Sequence, residues 1–351
     1  MLPAILLPEH VRVGARAHQG AWKYAIIGIS LQNKTSRHAR GGAMHHPFQP
    51  TELIKAEVLT ALPGRFRKKG HNDWTAANRG GIEVECFLEG PAFDREGNLW
   101  VVDIPFGRIF RIDAKGEWDL VIQYDGWPNG MKLHQDGRLF ICDYRKGLLA
   151  LDPRTGSLET VLGTFYSESF KGLNDLHFAS NGDLYFTDQG QTGCIDPTGR
   201  VFRLRVNGTV DRLANNVPGA NGITVNSTDR QVYVAATGMQ QVWRLPVMPD
   251  GSITKSRLAL QFTGGIAGPD GIEMDADDGL LVCHLGVGVY RFDSRMLPTH
   301  LVYSDNPLHL NLANIAFGGP DRRTLHIVQA MTGEILVARM PVAGKKLYGH
   351  T

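Results

Sequence analysis

The chain has 351 residues, of which 42% are hydrophobic and 21% are charged, a composition typical of a globular protein with a large core. Its formal net charge of +2 gives no electrostatic basis for binding nucleic acid or an anionic membrane surface. No apolar run approaches the roughly 20 residues that a membrane-spanning helix needs. We therefore expect neither nucleic acid nor a membrane as a partner. A small-molecule substrate and a monomer or homodimer are our further expectations.

The cysteines and the N-terminus indicate the compartment. Cys86, Cys142, Cys194 and Cys283 are widely spaced, which fits reduced thiols better than a zinc site or a disulfide framework. The opening "MLPAILLP" has a short apolar run but neither a basic stretch before it nor a small-residue cleavage site after it. We therefore expect a cytoplasmic protein.

Residues 1–80 match no repeat and are predicted to form an N-terminal extension that is partly flexible. The segment "NKTSRHARGGAMHHPF" has the composition of a flexible basic stretch. Farther on, "TELIKAEVLTALP" begins with Thr51 as a helix N-cap, has apolar residues at helical spacing and stops at Pro63. This pattern predicts a short helix over 51–62.

From about residue 82, one pattern recurs six times: a short alternating strand, a turn rich in Asp, Asn and Gly, and a second apolar strand. The copies begin at residues 89, 129, 174, 221, 270 and 314, so the period is 40–49 residues. Two further strands lie between most copies, as in "RIFRIDAKGEWDLVIQY". This period with four strands per unit is typical of a β-propeller blade.

The predicted fold is therefore all-β: a six-bladed β-propeller of four-stranded blades, occupying residues 81–345 as a single catalytic domain. A propeller has to close its ring, and pairing the two chain ends hides an exposed strand edge. The segment "IEVECFL", from Ile82 to Leu88, precedes the first repeat without a partner. We expect it to be the N-terminal strand that completes the last blade.

Every repeat begins with a polar residue. Because the innermost strands of a propeller surround its central channel, equivalent positions converge on the axis. The predicted ring at one mouth of the channel consists of Glu89, Asn129, Asn174, Asn221, Asp270 and Asn314. The alternative is that Asn-Gly and Asp-Gly pairs are simply turn residues. That alternative does not explain Glu89, nor Asn174 followed by Asp175.

Carboxylate and carboxamide oxygens without Cys or His form a hard site. Such a site suits one divalent metal, Ca²⁺ first, with Mg²⁺, Mn²⁺ or less selectively Zn²⁺ as alternatives. A divalent ion there polarises a carbonyl oxygen or lowers the pKa of bound water, and both routes lead to ester hydrolysis. The sequence contains neither the G-x-S-x-G nor the H-E-x-x-H motif of other hydrolases.

Four segments carry a resemblance to a known family. They are "EGPAFDREGNLWVVDI", "GLNDLHFASNGDLYFTDQG", "ANGITVNSTDRQVYVA" and "GPDGIEMDADDGLLVCHLG". The chain resembles the family of senescence marker protein (regucalcin), gluconolactonase and luciferin-regenerating enzyme over about residues 82–340. Within that family it is most similar to the calcium-dependent bacterial lactonases. The resemblance implies a metal-dependent lactonase, a carboxylic ester hydrolase.

The resemblance also implies roles for individual residues. Glu89, Asn221 and Asp270 match the metal ligands, and Asn174 matches an amide that ligates the metal or contacts substrate. Asp270 is also similar to the proposed general base, and Asn129 matches a substrate-contacting position. Where sugar-acid-specific members have an Arg, this chain has Gly172, which argues against a plain gluconolactone substrate.

Loops between the predicted strands add an aromatic and apolar rim, which suits a substrate less polar than a sugar. The predicted substrate-binding residues there are Phe106, Trp127, Tyr166, Met239 and His284. His284 has a structural alternative, as a hydrogen-bonded core residue. Two other functions stay open at this point: a metal-independent enzyme similar to strictosidine synthase, and a non-catalytic calcium-binding propeller.

Overall fold

The computed structural model describes residues 49–351, and these residues form six β-sheets arranged as blades around a central channel. The predicted all-β, six-bladed propeller is confirmed. The predicted flexible stretch of the N-terminal extension lies outside the described residues. Among the described residues, no helix is long and apolar enough to span a membrane.

Two short strands precede the blades: β1 (Glu52–Lys55) and β2 (Glu57–Ala61). They are followed by one turn of 3-10 helix at Gly64–Phe66 and by helix α1 (Asp73–Arg79).

Blades one to three run from the channel outwards in chain order. Blade one consists of β3 (Leu88–Phe93), β4 (Leu99–Asp103), β5 (Arg108–Ile112) and β6 (Trp118–Gln123). Blade two consists of β7 (Pro128–Leu133), β8 (Leu139–Asp143), β9 (Gly147–Asp152) and β10 (Ser157–Leu162). A small hairpin follows, β11 (Thr164–Phe165) and β12 (Glu168–Ser169). Blade three consists of β13 (Leu173–Phe178), β14 (Leu184–Asp188), β15 (Gly199–Leu204) and β16 (Val210–Val217).

The other three blades repeat this order. Blade four consists of β17 (Ala220–Val225), β18 (Gln231–Ala236), β19 (Gln241–Pro246) and β20 (Arg257–Gln261). Blade five consists of β21 (Pro269–Met274), β22 (Leu280–His284), β23 (Gly288–Phe292) and β24 (Pro298–Tyr303). Blade six contributes β25 (Leu312–Gly318), β26 (Thr324–Gln329) and β27 (Glu334–Arg339). Further 3-10 turns lie at Ile104–Phe106, Thr237–Met239 and Tyr348–His350.

Each innermost strand packs against the innermost strands of the two adjacent blades, and β25 packs against β3 to close the ring. Apolar side chains fill the space between neighbouring blades. Between blades one and two, for example, Trp100 and Val102 pack with Met131, Ile141 and other buried residues. The radial core leaves the axis-facing side chains of the innermost strands free to be polar.

The strand that closes the ring is β2, which pairs antiparallel with β27 and becomes the outermost strand of blade six. Closure by an N-terminal strand is confirmed, but the predicted segment Ile82–Leu88 is wrong. Its residues 82–87 form no strand. They run past the blade-six loop, where Cys86 lies against the carbonyl oxygens of Ala330 and Met331, and enter blade one as β3 begins.

The predicted helix over 51–62 is also wrong, because this segment contains β1 and β2. β1 pairs parallel with β24 and adds a fifth strand to blade five. Leu53 and Leu59, two of the apolar residues at helical spacing, are exposed. Pairing with two open blade edges decides the local structure here, and the propeller sheets therefore begin before residue 81.

The C-terminal segment crosses the channel end opposite the predicted ring. Lys345 N donates to the Met274 carbonyl of blade five, and Arg95 of blade one donates to the Gly349 carbonyl. Tyr348 packs against Phe178 of blade three. This segment therefore bridges several blades and covers the lower end of the channel.

Candidate functional site

The register of the blades shows which residues occupy equivalent axial positions. In blades one, two and three, the innermost strand begins with a residue paired to the last residue of the second strand: Leu88 with Asp103, Pro128 with Asp143 and Leu173 with Asp188. The next residue in each blade forms the top level of the channel. That level contains Glu89, Asn129, Asn174, Asn221, Asp270 and Ala313.

Blade six departs from the predicted ring. Leu312 pairs with Gln329, so Ala313 is at the level of Glu89, and Asn314 is one residue lower. Asn314 is in register with Asp175 of blade three, and the other blades have glycine at this second level. The ring thus has five polar members at the top, with Asp175 and Asn314 below them.

The Asn-Gly and Asp-Gly pairs lie within strands, at a bulge, and not at turns. Their glycines allow close approach between neighbouring blades. A Cβ at Gly130 would lie 2.3 Å from Asp175 Oδ1, and one at Gly271 would lie 2.4 Å from Asn314 Oδ1. The glycines therefore make room for the polar side chains of the second level.

Glu89 and Asp270 are buried carboxylates that repel each other. Glu89 is 4% exposed and Asp270 is 9% exposed. Burial raises the pKa of Glu89 to about 7, although hydrogen bonds from the Gly90 backbone and the Asn314 amide oppose the shift. Burial, followed by the charge of Glu89, raises the pKa of Asp270 well above its usual range. A cation between these groups would relieve both effects.

Hydrogen bonds fix the direction of the neighbouring amides. Asn174 Nδ2 donates to Gln189 Oε1 at 2.9 Å, a bond that does not use the acceptor atom Oδ1 of the same amide. The Asn221 amide hydrogen-bonds to the Asp270 carboxylate. Asn314 Nδ2 donates to Glu89 Oε2 at 3.0 Å, while its Oδ1 accepts from Ile315 N at 2.8 Å. Asn314 therefore holds one carboxylate oxygen of Glu89 in place.

The donor set fits a hard divalent cation. Among residues 49–351, no group of three or more His, Cys, Asp or Glu side chains is arranged to hold a metal ion. The candidate ligands are a mixed set of two carboxylates and two amides from four blades: Glu89, Asp270, Asn174 and Asn221. Oxygen ligands of these two kinds are those that Ca²⁺ and Mg²⁺ prefer.

Two of the predicted substrate-binding residues, Phe106 and Trp127, are partly buried in loops at the ring end of the channel. Arg108 and Lys68 approach the Phe106 ring at 4.9 and 5.7 Å. Trp127 packs against Tyr144 at 5.8 Å between ring centroids. Both rings thus pack against protein neighbours and are only partly exposed.

The other three predicted substrate-binding residues differ in exposure. Tyr166 is 82% exposed and contacts the Phe165 ring at a tilted angle in the hairpin beside blade three. Met239 is partly exposed and lies 3.5 Å from the Cys194 thiol. His284 is buried against Phe262, and burial lowers the pKa of its imidazole. Its nitrogens face the backbone near Gly264 and Ala267 without a well-formed hydrogen bond among the described residues.

Helix α1 lies at the same end of the channel. Asn72 caps it in a capping box with Thr75. Asn78 Oδ1 accepts from Gln191 of the blade-three loop, and the same Gln191 amide donates to Tyr144 of blade two. Arg79 reaches Met331 of blade six. The helix therefore connects loops of three blades at the mouth.

The sequence profile described as the SMP-30/gluconolactonase/LRE-like region matches residues 87–331. The chain belongs to this family. A Staphylococcus aureus protein named lactonase drp35 is 29% identical over 238 residues, covering 64% of this chain and 71% of its own. The Staphylococcus haemolyticus protein of the same name is 31% identical over 224 residues, covering 60% and 67%.

Solved structures of the family share the fold. A gluconolactonase from Xanthomonas campestris has a TM-score of 0.65 at 20% identity, covering 84% of this chain and 99% of its own. A calcium-binding protein from Agrobacterium tumefaciens, regucalcin, has a TM-score of 0.67 at 19% identity, covering 86% and 100%. The SMP-30/gluconolactonase/LRE-like propeller is therefore the fold of this chain.

Sequence reasoning missed Gln189 and Gln191 as partners of the site, and it placed Asn314 in the ring without predicting its hydrogen bond to Glu89. Gln189 directly follows the repeated strand that ends in "YFTD". Because this strand ends at the mouth of the channel, its position was a signal that could have identified Gln189. Helix α1 could also have been predicted from the sequence, because "NDWTAANRGG" has Asn72 as an N-cap and Gly80 as a C-cap.

Proposed function

We propose that this chain is a metal-dependent lactonase, which opens a cyclic ester by attack of water on its carbonyl carbon. The observation that carries the proposal is the pair of buried carboxylates, Glu89 and Asp270, which lie at one end of the channel beside asparagine amides. The lactonase names of the Staphylococcus relatives support the reaction type.

Glu89, Asn174, Asn221 and Asp270 would hold the divalent ion, with Ca²⁺ as the first candidate. When bound, such an ion polarises the ester carbonyl and stabilises negative charge that develops on its oxygen. The structurally similar Agrobacterium protein is a calcium-binding protein, which supports the choice of Ca²⁺.

Asp270 has the chemistry of the general base. As an ionised carboxylate beside the bound ion, it could accept a proton from water held at the same site. It would take a proton from the attacking water as the new C–O bond forms, and return it to the ring oxygen as the ester C–O bond breaks. The product is a hydroxy acid, which loses a proton to solvent at neutral pH. Asn129, at the same level on blade two, would contact the substrate.

The mouth of the channel favours a substrate with an apolar body. Exposed apolar side chains occur in loops at this end, namely Ile195, Met239, Ile266, Leu308 and Leu310. These loops are connected in space: Ile266 N donates to the Leu285 carbonyl and Gly286 N donates to the Leu310 carbonyl. Aliphatic or aromatic lactones would bury this surface, whereas a sugar lactone would not.

The test is hydrolysis of sugar, aliphatic and aromatic lactones by purified protein, followed by titration of the released acid. We expect activity that EDTA removes and Ca²⁺ restores, with apolar lactones preferred. Activity that EDTA leaves unchanged would favour a metal-independent enzyme. Calcium binding without turnover of any lactone in the panel would favour a non-catalytic propeller.

A further inference from the structure

The lower channel contains a buried ion pair that spans the axis. Lys132 lies on the innermost strand of blade two and Glu273 lies on that of blade five, on opposite sides of the six-membered ring. Lys132 Nζ is nevertheless 3.3 Å from Glu273 Oε2. The two side chains are 6% and 2% exposed. They therefore form a floor across the channel, three residues below the top-level positions Asn129 and Asp270.

The surroundings of Glu273 leave Lys132 as the partner of one carboxylate oxygen. Glu273 Oε1 accepts from Met274 N at 3.0 Å and from Thr224 Oγ1 at 3.3 Å. Glu273 Oε2 has no hydrogen bond of normal geometry among the described residues, and the Lys132 ammonium is its ion-pair partner. The charge of Lys132 is thus fixed at the centre of the channel.

The rest of the floor is also filled. Thr224 Oγ1 is 3.4 Å from His177 Nδ1, and His177 Nε2 is 3.1 Å from the Nζ of Lys345 in the C-terminal segment. Lys345 also donates to the Val225 carbonyl. Side chains from blades two to five and from the C-terminal segment therefore occupy the lower channel.

We propose that Lys132 is a resident cation, which occupies the lower channel and restricts the channel to one divalent ion in the upper ring. This inference rests on the metal site proposed above. Besides Glu273, the carboxylates that act electrostatically on Lys132 are Asp175 and Glu89. The ammonium thus sits beneath the acidic ring, where a second ion would otherwise find Glu273 and Asp175.

This arrangement predicts opposite effects for the two members of the ion pair. Removing the Lys132 charge takes away a repulsion on the divalent ion and leaves Glu273 unpaired, so affinity for the ion rises. Removing the Glu273 charge leaves the Lys132 ammonium uncompensated, so affinity falls. Loss of a merely structural contact would weaken binding in both variants.

The test is calorimetric titration of the full chain with Ca²⁺, a measurement independent of turnover. We expect one ion per chain for the wild type, and for Lys132→Met either a second ion or an affinity at least about tenfold higher. Glu273→Gln should bind one ion about tenfold more weakly. Lys132→Arg, which keeps the charge, should retain one ion.

Several results would overturn the inference: two ions bound by the wild type, shifts of the same sign in Lys132→Met and Glu273→Gln, or an unchanged Lys132→Met. If Lys132→Met does not fold without metal, added Ca²⁺ has to restore its circular dichroism spectrum; failure to do so contradicts the proposal. If the wild type hydrolyses lactones but binds no divalent ion, the metal assignment itself is wrong, a result distinct from same-sign shifts.

Discussion

The two ends of the channel are built from the same six strands but treat charge differently. At the upper end, Glu89 and Asp270 are buried with no basic side chain of the described residues bonded to either, and burial raises the pKa of both. At the lower end, Glu273 is paired with Lys132 at 3.3 Å and accepts two further hydrogen bonds. The upper carboxylates therefore lack a positively charged partner among the described residues, whereas the lower carboxylate has one.

Within one set of repeats, the unpaired upper carboxylates are thus candidates for function, and the paired lower residues are candidates for a structural role. Buried carboxylates destabilise a fold unless they are paired or protonated, so the two unpaired carboxylates of the upper ring support the proposal that this level binds a cation. The aspartates that end the second strands of the blades are a further example of buried carboxylates with basic partners. Asp103 pairs with Arg108 and Asp188 with Arg200, so these repeated acids anchor loops and belong to the scaffold.

The largest expected effect is on catalysis, from neutralising the upper carboxylates. Glu89→Gln or Asp270→Asn should lower kcat/KM by about 10³-fold, since in the proposed mechanism each removes a metal ligand and the second also removes the general base. The measurement is the rate of lactone hydrolysis with saturating Ca²⁺. Glu96→Gln, at an exposed carboxylate, is the matched control and should keep full activity. Full activity in Asp270→Asn would contradict its role as base.

The next effect is on stability, from breaking the lower ion pair. Lys132→Met should lower the metal-free free energy of unfolding by about 3–5 kcal/mol, because it leaves Glu273 charged and buried without its ion-pair partner. The double variant Lys132→Met/Glu273→Gln should recover much of that loss. Urea unfolding in EDTA measures both. Equal stabilities of the single and double variants would show that the pair is not coupled.

A third effect is a loss of stability in acid. Burial lowers the pKa of His326 to about 4 and that of His177 well below its usual value. The unfolded chain binds these protons from about pH 6.5, so stability is complete above that pH and falls towards pH 4, by about 2–3 kcal/mol for His326 alone. Unfolding free energies across this range test it. His326→Phe, which keeps the ring contact with Phe93, should have a shallower pH dependence; an unchanged slope would contradict the assignment.

The smallest effect concerns the orientation of Glu89. Asn314→Leu removes the amide that donates to Glu89 Oε2, and the affinity for Ca²⁺ should fall about tenfold, since a hydrogen bond to a charged group contributes about 1.5–3 kcal/mol. Calcium titration measures the change. Asn215→Leu, at an exposed position of β16, should leave the affinity unaltered. Equal affinities in the two variants would remove Asn314 from the site.

The blades and most of the upper ring could be predicted because the repeat is visible in the amino-acid sequence. The 40–49 residue period predicted the number of blades. The polar residue at the start of each repeat identified five of the six top-level positions. The prediction for blade six was wrong by one residue, because Ala313 lies at the top level and Asn314 lies at the level below it. The bulge that places them depends on pairing with Gln329, which no local pattern reveals.

The chain ends were less predictable. β1 and β2 contain Glu, Lys, Leu and Ala, which favour helices in isolation, and they become strands because two blade edges lack a partner. The lower ion pair was equally hidden, as Lys132 and Glu273 are 141 positions apart in sequence. Such contacts follow from closure of the ring, a property of the whole fold.

The central claim is that the upper ring binds a divalent ion, and crystals grown with Ca²⁺ or Mn²⁺ test it most directly. We predict an anomalous scattering peak on the channel axis, with carboxylate oxygens of Glu89 and Asp270 at about 2.3–2.6 Å for Ca²⁺. Crystals with millimolar ion and no peak within reach of both carboxylates would contradict the account.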